Sequence, residues 1–225
     1  MSSVREQGKA RRKESIIQAA KNLLAQGGID ALSTRKLAEE AGLSVHTLYA
    51  LVGSKEEILE AVMEDNHNRV LSDILEINEE HPIDRIFAIV TSTYNIVAED
   101  SAAQRALMRV LMTLYYEGNL NPRPWWLLAQ EKGWMVSAVA EAIRQKLLRA
   151  DFAASIVADM LMKIYLANLR EYLFDQVDLE TFRDATIAEF RLCLLGIVTD
   201  DHRRISLKRA KAAAKARLIA NSLRA

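Results

Sequence analysis

Cysteine, proline and glycine are scarce in this sequence of 225 residues, which has one cysteine, three prolines and eight glycines. The lone Cys193 has no partner for a disulfide within the chain, so we expect a reducing, cytoplasmic compartment. Proline and glycine are the residues that most often interrupt helices, and their rarity leaves long uninterrupted segments. The sequence therefore predicts an all-α protein.

Long apolar runs are missing as well. The longest, such as LCLLGIV near the C-terminal end, are much shorter than the roughly 20 apolar residues that a membrane-spanning helix needs. The opening segment MSSVREQGKARRKES contains no apolar core like that of a signal peptide. We expect the protein to have no membrane partner.

The sequence also lacks the motifs that mark catalytic sites. The sequence has no nucleophile–base pair, metal-ligand spacing or glycine-rich phosphate loop. Cys193 lies in an apolar segment that suits a structural thiol rather than a nucleophile. We therefore predict that the protein is not an enzyme and uses no metal or cofactor. A helical enzyme whose acid–base pair comes from distant helices remains the less favoured alternative.

Charge is unevenly distributed along the chain, although acidic and basic residues are equal in number. The net charge is +4 over residues 1–55, −12 over residues 56–201 and +8 over residues 202–225. Because an acidic middle repels nucleic acid, any DNA contact should be confined to the two ends of the chain.

A helix-turn-helix pattern occupies the segment STRKLAEEAGLSVHTLYALVGSK, which runs from Ser33 to Lys55. Small and apolar residues stand at the spacings that this motif needs: Leu37, Ala38, Gly42, Leu43, Leu48 and Leu51. Gly42 can adopt the left-handed backbone conformation that ends the first helix. Ser44 can cap the free N–H groups of the second helix. The N-terminal end of that second helix is then exposed, as in helices that enter the major groove.

Two flanking segments extend this pattern: the helix IIQAAKNLLAQGG precedes it, and SKEEILEAV opens a third long helix after it. From about residue 11 to residue 62 the chain resembles the DNA-binding domain of the TetR family of bacterial transcriptional regulators. The resemblance implies an N-terminal three-helix DNA-binding domain and a helical C-terminal domain for ligand binding and dimerisation. In one departure, Leu51-Val52 stand where the family usually has an aromatic residue or His followed by Phe, so Leu51 is not assigned a DNA contact.

The candidate DNA contacts are Thr34, Arg35, Ser44, Val45, His46, Thr47, Tyr49 and Lys55. Thr34 and Arg35 lie in the first turn of a helix, where free amides and the helix dipole favour phosphate. Val45 and Thr47 can present methyl groups to thymine, and Thr47 and His46 can hydrogen-bond to bases or phosphates.

The resemblance implies phosphate contacts for Tyr49 and Lys55. Alternatives stay open for two of the candidates: Arg35 as an ordinary exposed arginine, and Tyr49 as a half-buried packing residue with its hydroxyl in water.

The sequence divides into four segments: a disordered basic arm (1–10), a helix-turn-helix DNA-binding domain (11–55), a helical effector-binding and dimerisation domain (56–201), and a basic tail with helical propensity (202–225). The tail leaves several readings open: a solvated surface helix, which we favour, a second DNA or RNA contact, or a weak anchor on anionic membrane.

Aromatic residues and methionines concentrate around the middle of the chain, and with a few polar groups they suit a mostly apolar pocket. The candidate ligand-binding residues are Tyr94, Arg109, Met112, Tyr115, Trp126, Gln130 and Trp134. The alternative is that these side chains are simply core residues.

The last two helices of the body are apolar on more than one face and must bury more than one side. The resemblance implies that the spare face forms a four-helix dimer interface. Its candidate residues are Ile156, Met160, Ile164, Phe182, Phe190, Leu194 and Ile197.

The resemblance and the charge pattern together predict a DNA-binding transcriptional regulator, most simply a homodimeric repressor released by a small apolar or amphipathic effector. Two recognition helices about 34–36 Å apart would reach successive major grooves, so the operator should be nearly palindromic. The alternative is a DNA-bound interaction protein of the same fold that is controlled by a protein partner.

Overall fold

A computed structural model describes residues 4–76, 81–99, 101–117 and 125–222 of the chain. Within these ranges the regular structure is helical, apart from an isolated bridge between Leu148 and Val198. The all-α prediction is therefore confirmed. The helices are α1 Val4–Ala31, α2 Thr34–Glu40, α3 Val45–Val52, α4 Lys55–Glu76, α5 Pro82–Ile86, α6 Ala88–Glu99, α7 Ser101–Glu117, α8 Trp125–Arg144, α9 Ala154–Leu173, α10 Leu179–Leu195 and α11 Asp200–Ser222.

Helix α1 differs from the sequence prediction at its start. It begins at Val4, so residues 4–10 are helical and not a disordered arm. These residues are mostly polar, and apart from Val4 and Gly8 they are good helix formers. Near its other end the helix is interrupted at Gly27 and Gly28, whose backbone angles are not helical, before a last turn ends at Ala31. The interruption lies where the Gly-Gly pair predicts a stop.

The first compact unit consists of residues 1–69 and 99–127. Its hydrophobic core draws on α1, α2, α3, α4 and α7, and it contains Ile16, Ala20, Leu24, Leu37, Leu48, Ile58, Val62 and Leu107. Helix α7 packs against α1. This division does not follow the predicted boundary between residues 55 and 56, because the first turns of α4 and part of α7 complete the core of the N-terminal helices.

The second compact unit consists of residues 70–98 and 128–225. Helix α10 packs on both α9 and α11. The Phe182 ring lies 6.1 Å from that of Tyr165 and 5.9 Å from that of Tyr172, between ring centroids. The Tyr165 hydroxyl is hydrogen-bonded to the Thr93 hydroxyl over 2.8 Å, so α6, α9 and α10 share one aromatic core.

This core corrects part of the predicted dimer interface. Phe182 and Phe190 are fully buried inside the second unit, and Leu194 and Ile197 are nearly so. They cannot offer surface to another subunit, because their own chain already covers them. Apolar periodicity marks every buried face of a helix alike, and it does not reveal which face is covered from within.

Of the described helices, none is long and apolar enough to cross a membrane.

Candidate nucleic-acid interface

Helix α2 is fixed at its start by Ser33 and on its inner face by two small or apolar residues. The Ser33 hydroxyl accepts a hydrogen bond from the backbone N–H of Lys36 over 3.3 Å, as predicted for an N-cap. Leu37 and Ala38 are buried, at 1% and 3% exposure. Arg35 is exposed and Thr34 is half-buried in the first turn of this helix.

The turn after α2 closes in the way that helices ending in glycine commonly do. Gly42 has a φ of +67°. Its N–H donates to the Glu39 carbonyl over 3.1 Å, and the N–H of Leu43 donates to the Ala38 carbonyl over 2.8 Å. This pair of bonds is the Schellman motif, which satisfies the last carbonyls of a helix. The predicted role of Gly42 is therefore seen directly in the backbone.

Helix α3 begins at a second serine cap. The Ser44 hydroxyl accepts from the backbone N–H of Thr47 over 3.1 Å, and the two hydroxyl groups are hydrogen-bonded to each other over 2.8 Å. Leu48 is fully buried and anchors the helix from below. Because the Ser44 and Thr47 hydroxyls are mutually bonded, their orientation is set before any ligand arrives.

The opposite side of α3 is open to solvent. Val45 is 40% exposed and Tyr49 is 51% exposed, and His46 is also exposed. Val45 and Tyr49 are four residues apart and so lie on the same face of the helix. A short helix that is capped at its start, anchored by one leucine and free on its outer face can be presented to the groove of a duplex.

The turn between α3 and α4 contains a reciprocal cap. The Ser54 N–H donates to the Glu57 carboxylate over 2.8 Å, and the Glu57 N–H donates to the Ser54 hydroxyl over 3.3 Å. This is the capping box that the S-x-x-E spacing predicts. Gly53, with a φ of +75°, precedes it, and a Cβ on Gly53 would lie 2.0 Å from a Glu57 carboxylate oxygen. The sequence analysis missed Gly53, although its place directly before the capping box is a usable signal.

Lys55 has a partner that the sequence analysis did not anticipate. Its ammonium group donates to the Ile29 carbonyl in the last turn of α1 over 3.1 Å, and the side chain is half-buried. This bond ties the start of α4 to α1. One N–H of the ammonium is used in this way, and two remain for a phosphate.

Two further contacts attach α4 and the turn after α2 to α1. Lys21 forms an ion pair with Asp65 of α4. The Ser15 hydroxyl donates to the Ala41 carbonyl in the turn after α2 over 3.4 Å. Together with the shared hydrophobic core, these contacts make α1 a support for the two-helix unit.

The predicted ligand-binding residues fall in different parts of the chain. Arg109 and Met112 belong to the first unit, and Tyr94 and Trp134 belong to the second. Met112 is buried, and Arg109 and Trp134 are half-buried. The side chains of Tyr115, Trp126 and Gln130 lie outside the described residues.

Tyr94 is already engaged by α10. Its hydroxyl donates to the Glu180 carboxylate over 3.5 Å, and the Arg183 guanidinium lies over its ring at 4.6 Å from the centroid. These contacts give Tyr94 a role within the second unit that needs no ligand.

The sequence analysis missed a pair of buried polar side chains on α4. His67 is only 4% exposed and its neighbour Asn66 only 8%. The side-chain amide of Gln104 on α7 donates to the Asn66 carbonyl oxygen over 2.9 Å. Sequence gives no direct sign of this cluster, because its partners are 38 residues apart.

Among the described residues, no group of three or more His, Cys, Asp or Glu side chains could hold a metal ion. Cys193 is half-buried, and burial raises the pKa of its thiol, which keeps it in the less reactive neutral form.

Known proteins with sequences similar to this chain include bacterial transcriptional regulators. The family model described as bacterial regulatory proteins, tetR family, matches residues 16–62. The HTH-type transcriptional regulator UidR of Escherichia coli K12 is 25% identical over 187 residues, which are 82% of this chain and 91% of that protein. The class D tetracycline repressor protein of Escherichia coli is 48% identical over 50 residues, 22% of this chain and 23% of that one.

Solved structures agree with the fold. SmeT, the repressor of the Stenotrophomonas maltophilia multidrug efflux pump SmeDEF, superposes with a TM-score of 0.69 at 19% identity over 84% of this chain and 91% of that one. A TetR-family regulator from Agrobacterium tumefaciens superposes with a TM-score of 0.66 at 17% identity over 85% of this chain and 100% of that one. The matched model covers the capped two-helix unit and its support. Residues 16–62 therefore match the TetR family of bacterial regulatory proteins, and the relatives and solved structures support membership of the chain in that family.

Proposed function

We propose that the protein is a transcriptional repressor that binds a near-palindromic operator as a homodimer and leaves it when a small apolar or amphipathic effector binds. DNA binding and repression follow from the family and its named relatives. The dimer, the operator symmetry and the effector are our inferences, and so is action in the cytoplasm, where the operator would be found.

The observation that carries the proposal is the outer face of α3. Val45, His46 and Tyr49 are exposed there, while the helix beneath them is held by the Ser44 cap and the buried Leu48. Val45 offers methyl groups to thymine, and His46 offers a ring nitrogen to a base edge or phosphate. The Tyr49 hydroxyl suits a phosphate, which fixes position rather than sequence.

Contacts on either side of α3 would set the register on the duplex. Arg35 is exposed in the first turn of α2, close in sequence to the free amides of that helix, and Thr34 precedes it. Lys55 keeps two ammonium N–H groups available beyond its bond to Ile29. We assign these three residues to the sugar–phosphate backbone. Their loss should weaken binding to every duplex by a similar factor.

The exposed face of α9 supports a homodimer. Ile156 is 52% exposed and Met160 is 51% exposed, and Phe152 in the preceding turn is 54% exposed. Ile156 and Met160 are four residues apart within α9, so they form a stripe along one side of the helix, which the half-buried Ile164 continues. A contiguous apolar stripe in a water-soluble chain needs a cover, and a second copy of α9 would supply one of matching character.

The effector would shift an equilibrium between two states of the dimer that differ in the spacing of their recognition helices. It can do so only if it binds one of these states more tightly than the other. The hydrogen bond from the half-buried Gln104 to the buried Asn66 links α4 to α7 within the first unit, and the buried His67 is next to Asn66 in the chain. Since α4 directly follows the helix-turn-helix, a ligand that replaces the hydrogen bonds of these groups would act on α3 through α4. The same two helices also bury methionines, Met63 on α4 and Met112 on α7, and such side chains favour an apolar or amphipathic molecule.

Selection of bound genomic fragments by the purified protein tests the proposal. We expect enrichment of fragments that share a near-palindrome whose half-sites are separated by about one helical turn, 10–10.5 base pairs, or a multiple of it. A small-molecule fraction of the cell extract should release the selected duplex. Enrichment of no shared sequence would refute operator binding, and release only by the protein fraction of the extract would replace the effector with a protein partner.

A further inference from the structure

Helix α11 carries a row of four cationic side chains on one face. Arg204, Lys208, Lys211 and Lys215 are all exposed. They follow one another at intervals of four, three and four residues, the spacing that aligns side chains along a helix. At a rise of about 1.5 Å per residue, the row is about 16 Å long. We call these four residues the cationic row.

The other side of α11 fixes the direction in which the cationic row points. Ala210 is only 1% exposed, and His202 and Ser206 are half-buried. These three residues are also four apart, and they lie about 180° around the helix from the cationic row. Helix α11 packs against α10. The cationic row therefore faces away from the core of its unit.

The charges of the cationic row are not neutralised within the part of the chain that the structure describes. None of the four side chains forms an ion pair there, whereas the neighbouring Arg209 pairs with Asp84 at 3.6 Å. The sequence from residue 202 to residue 225 contains no acidic residue. Like charges at i,i+4 spacing destabilise a helix, so the row is held at some cost to folding.

A groove next to the cationic row is lined by Arg204, Lys208 and Arg209 together with Ile205 and Ala212. Three of its five lining residues are cationic. The positive charge of these lining residues favours an anionic group in the groove.

We propose that the cationic row binds the phosphate backbone of duplex DNA without reading its sequence, as a contact additional to that of α3. The inference rests on the proposed function in one respect, that DNA is already a partner of the protein. A duplex carries one negative charge per about 1.7 Å of its axis, so a row about 16 Å long meets several phosphates.

An anionic membrane surface fits α11 less well. An interfacial helix needs a continuous apolar face rich in large side chains. On α11 the exposed Ile205 and Leu207 lie about 160° apart, on either side of the cationic row, and the sequence of the helix contains no aromatic residue. The small apolar face around Ala210 is turned inward against α10.

The test is the salt dependence of binding to a random-sequence duplex, measured with the full chain. We expect the fourfold variant Arg204→Gln, Lys208→Gln, Lys211→Gln and Lys215→Gln to have a less steep slope of log K against log salt. The reduction should be about three to four units per bound protomer, since each phosphate contact contributes about 0.9. The ratio of affinities for a selected and a random duplex should not fall, because the row reads no bases.

A matched pair of double variants separates the cationic row from net charge. Lys208→Gln with Lys211→Gln removes two charges from the row, and Lys146→Gln with Arg203→Gln removes two exposed charges elsewhere on the same unit. The first pair should reduce the slope by about two units, and the second should leave it unchanged. Circular dichroism melting establishes that all variants fold.

Two results would overturn the inference. The first concerns the salt slope of binding to random DNA. The inference fails if the fourfold variant has the same slope as the wild type, or if the two double variants reduce the slope equally. The other is loss of binding to phosphatidylserine–phosphatidylcholine vesicles with no change on DNA, which would assign the row to a membrane surface. If the proposed function is wrong, the result is different. The wild type then shows no preference for a selected duplex, whereas the difference in salt slope between the wild type and the fourfold variant on random DNA persists.

Discussion

The N–H of Leu43 donates to the carbonyl of Ala38 over 2.8 Å, and this bond closes the turn between α2 and α3. It forms only because Gly42, between these two residues, has a φ of +67°. A Cβ on Gly42 would meet no atom within 4 Å, so space does not oppose substitution there. The backbone conformation alone makes glycine the preferred residue at the turn.

Gly42→Ala should therefore lower the free energy of unfolding by about 1–2 kcal/mol, the cost of the left-handed conformation for an alanine. Gly133→Ala is the matched control, because Gly133 lies inside α8 and also has no atom within 4 Å of an added Cβ. It should raise the free energy of unfolding by up to about 1 kcal/mol. Urea unfolding measures both, and equal effects of the two substitutions would contradict the assignment.

Gly53 and Glu57 should be coupled energetically. Gly53→Ala introduces a Cβ that displaces the Glu57 carboxylate from the Ser54 N–H, in addition to the strain of a φ of +75°. In a Glu57→Ala background the displaced group is absent, so the same substitution should cost less. A double-mutant cycle should give a coupling of at least about 0.5 kcal/mol. Strictly additive losses would mean that the capping box plays no part in the intolerance of Gly53.

Thr47→Ala should weaken binding to the selected duplex more than binding to random DNA. The substitution removes a hydroxyl and a methyl group that can contact a base edge, and it leaves the backbone N–H that Ser44 caps. The loss on the selected duplex should be of the order of 1–3 kcal/mol. Competition binding with both duplexes measures the difference, and equal losses on the two would show that Thr47 reads no base.

Lys55→Met should change two properties at once, because its ammonium donates to Ile29 and also faces a phosphate in our proposal. Loss of the hydrogen bond should lower the free energy of unfolding by about 0.5–1.5 kcal/mol. Loss of the phosphate contact should reduce the salt slope of DNA binding by about one unit. A stability loss with an unchanged slope would assign Lys55 to the fold alone.

Met160→Glu should dissociate the homodimer, since it places a charge in the exposed stripe on α9. Leu75→Glu is the control, because Leu75 is 68% exposed and lies outside that stripe. Sedimentation equilibrium should give a monomer mass for the first variant and a dimer mass for the second. A dimer mass for both would place the interface elsewhere on the chain.

The local parts of the interface could be predicted from sequence because each signal spans only a few residues. The caps at Ser33 and Ser44, the glycine turn and the capping box at Ser54 are set by contacts within five residues. Apolar spacing was sufficient to predict that Leu48 is buried.

Contacts between distant segments could not be read in the same way. The packing of α7 on α1, the bond from Gln104 to Asn66 and the bond from Lys55 to Ile29 join residues far apart in the chain. For the same reason Phe182 and Phe190 were assigned to a dimer interface. Periodicity marks them as buried, and only the packing of α10 shows that their own chain buries them.

The most direct test of the central claim is competition between a selected duplex and a random one for the wild type and for a variant that carries Val45→Ala and His46→Ala. These substitutions change the exposed face of α3 and leave its cap and Leu48 intact. We predict that the wild type prefers the selected duplex by at least about a thousandfold at physiological salt, and that the variant loses most of this preference while it keeps its binding to random DNA. A preference that survives in the variant would contradict the account.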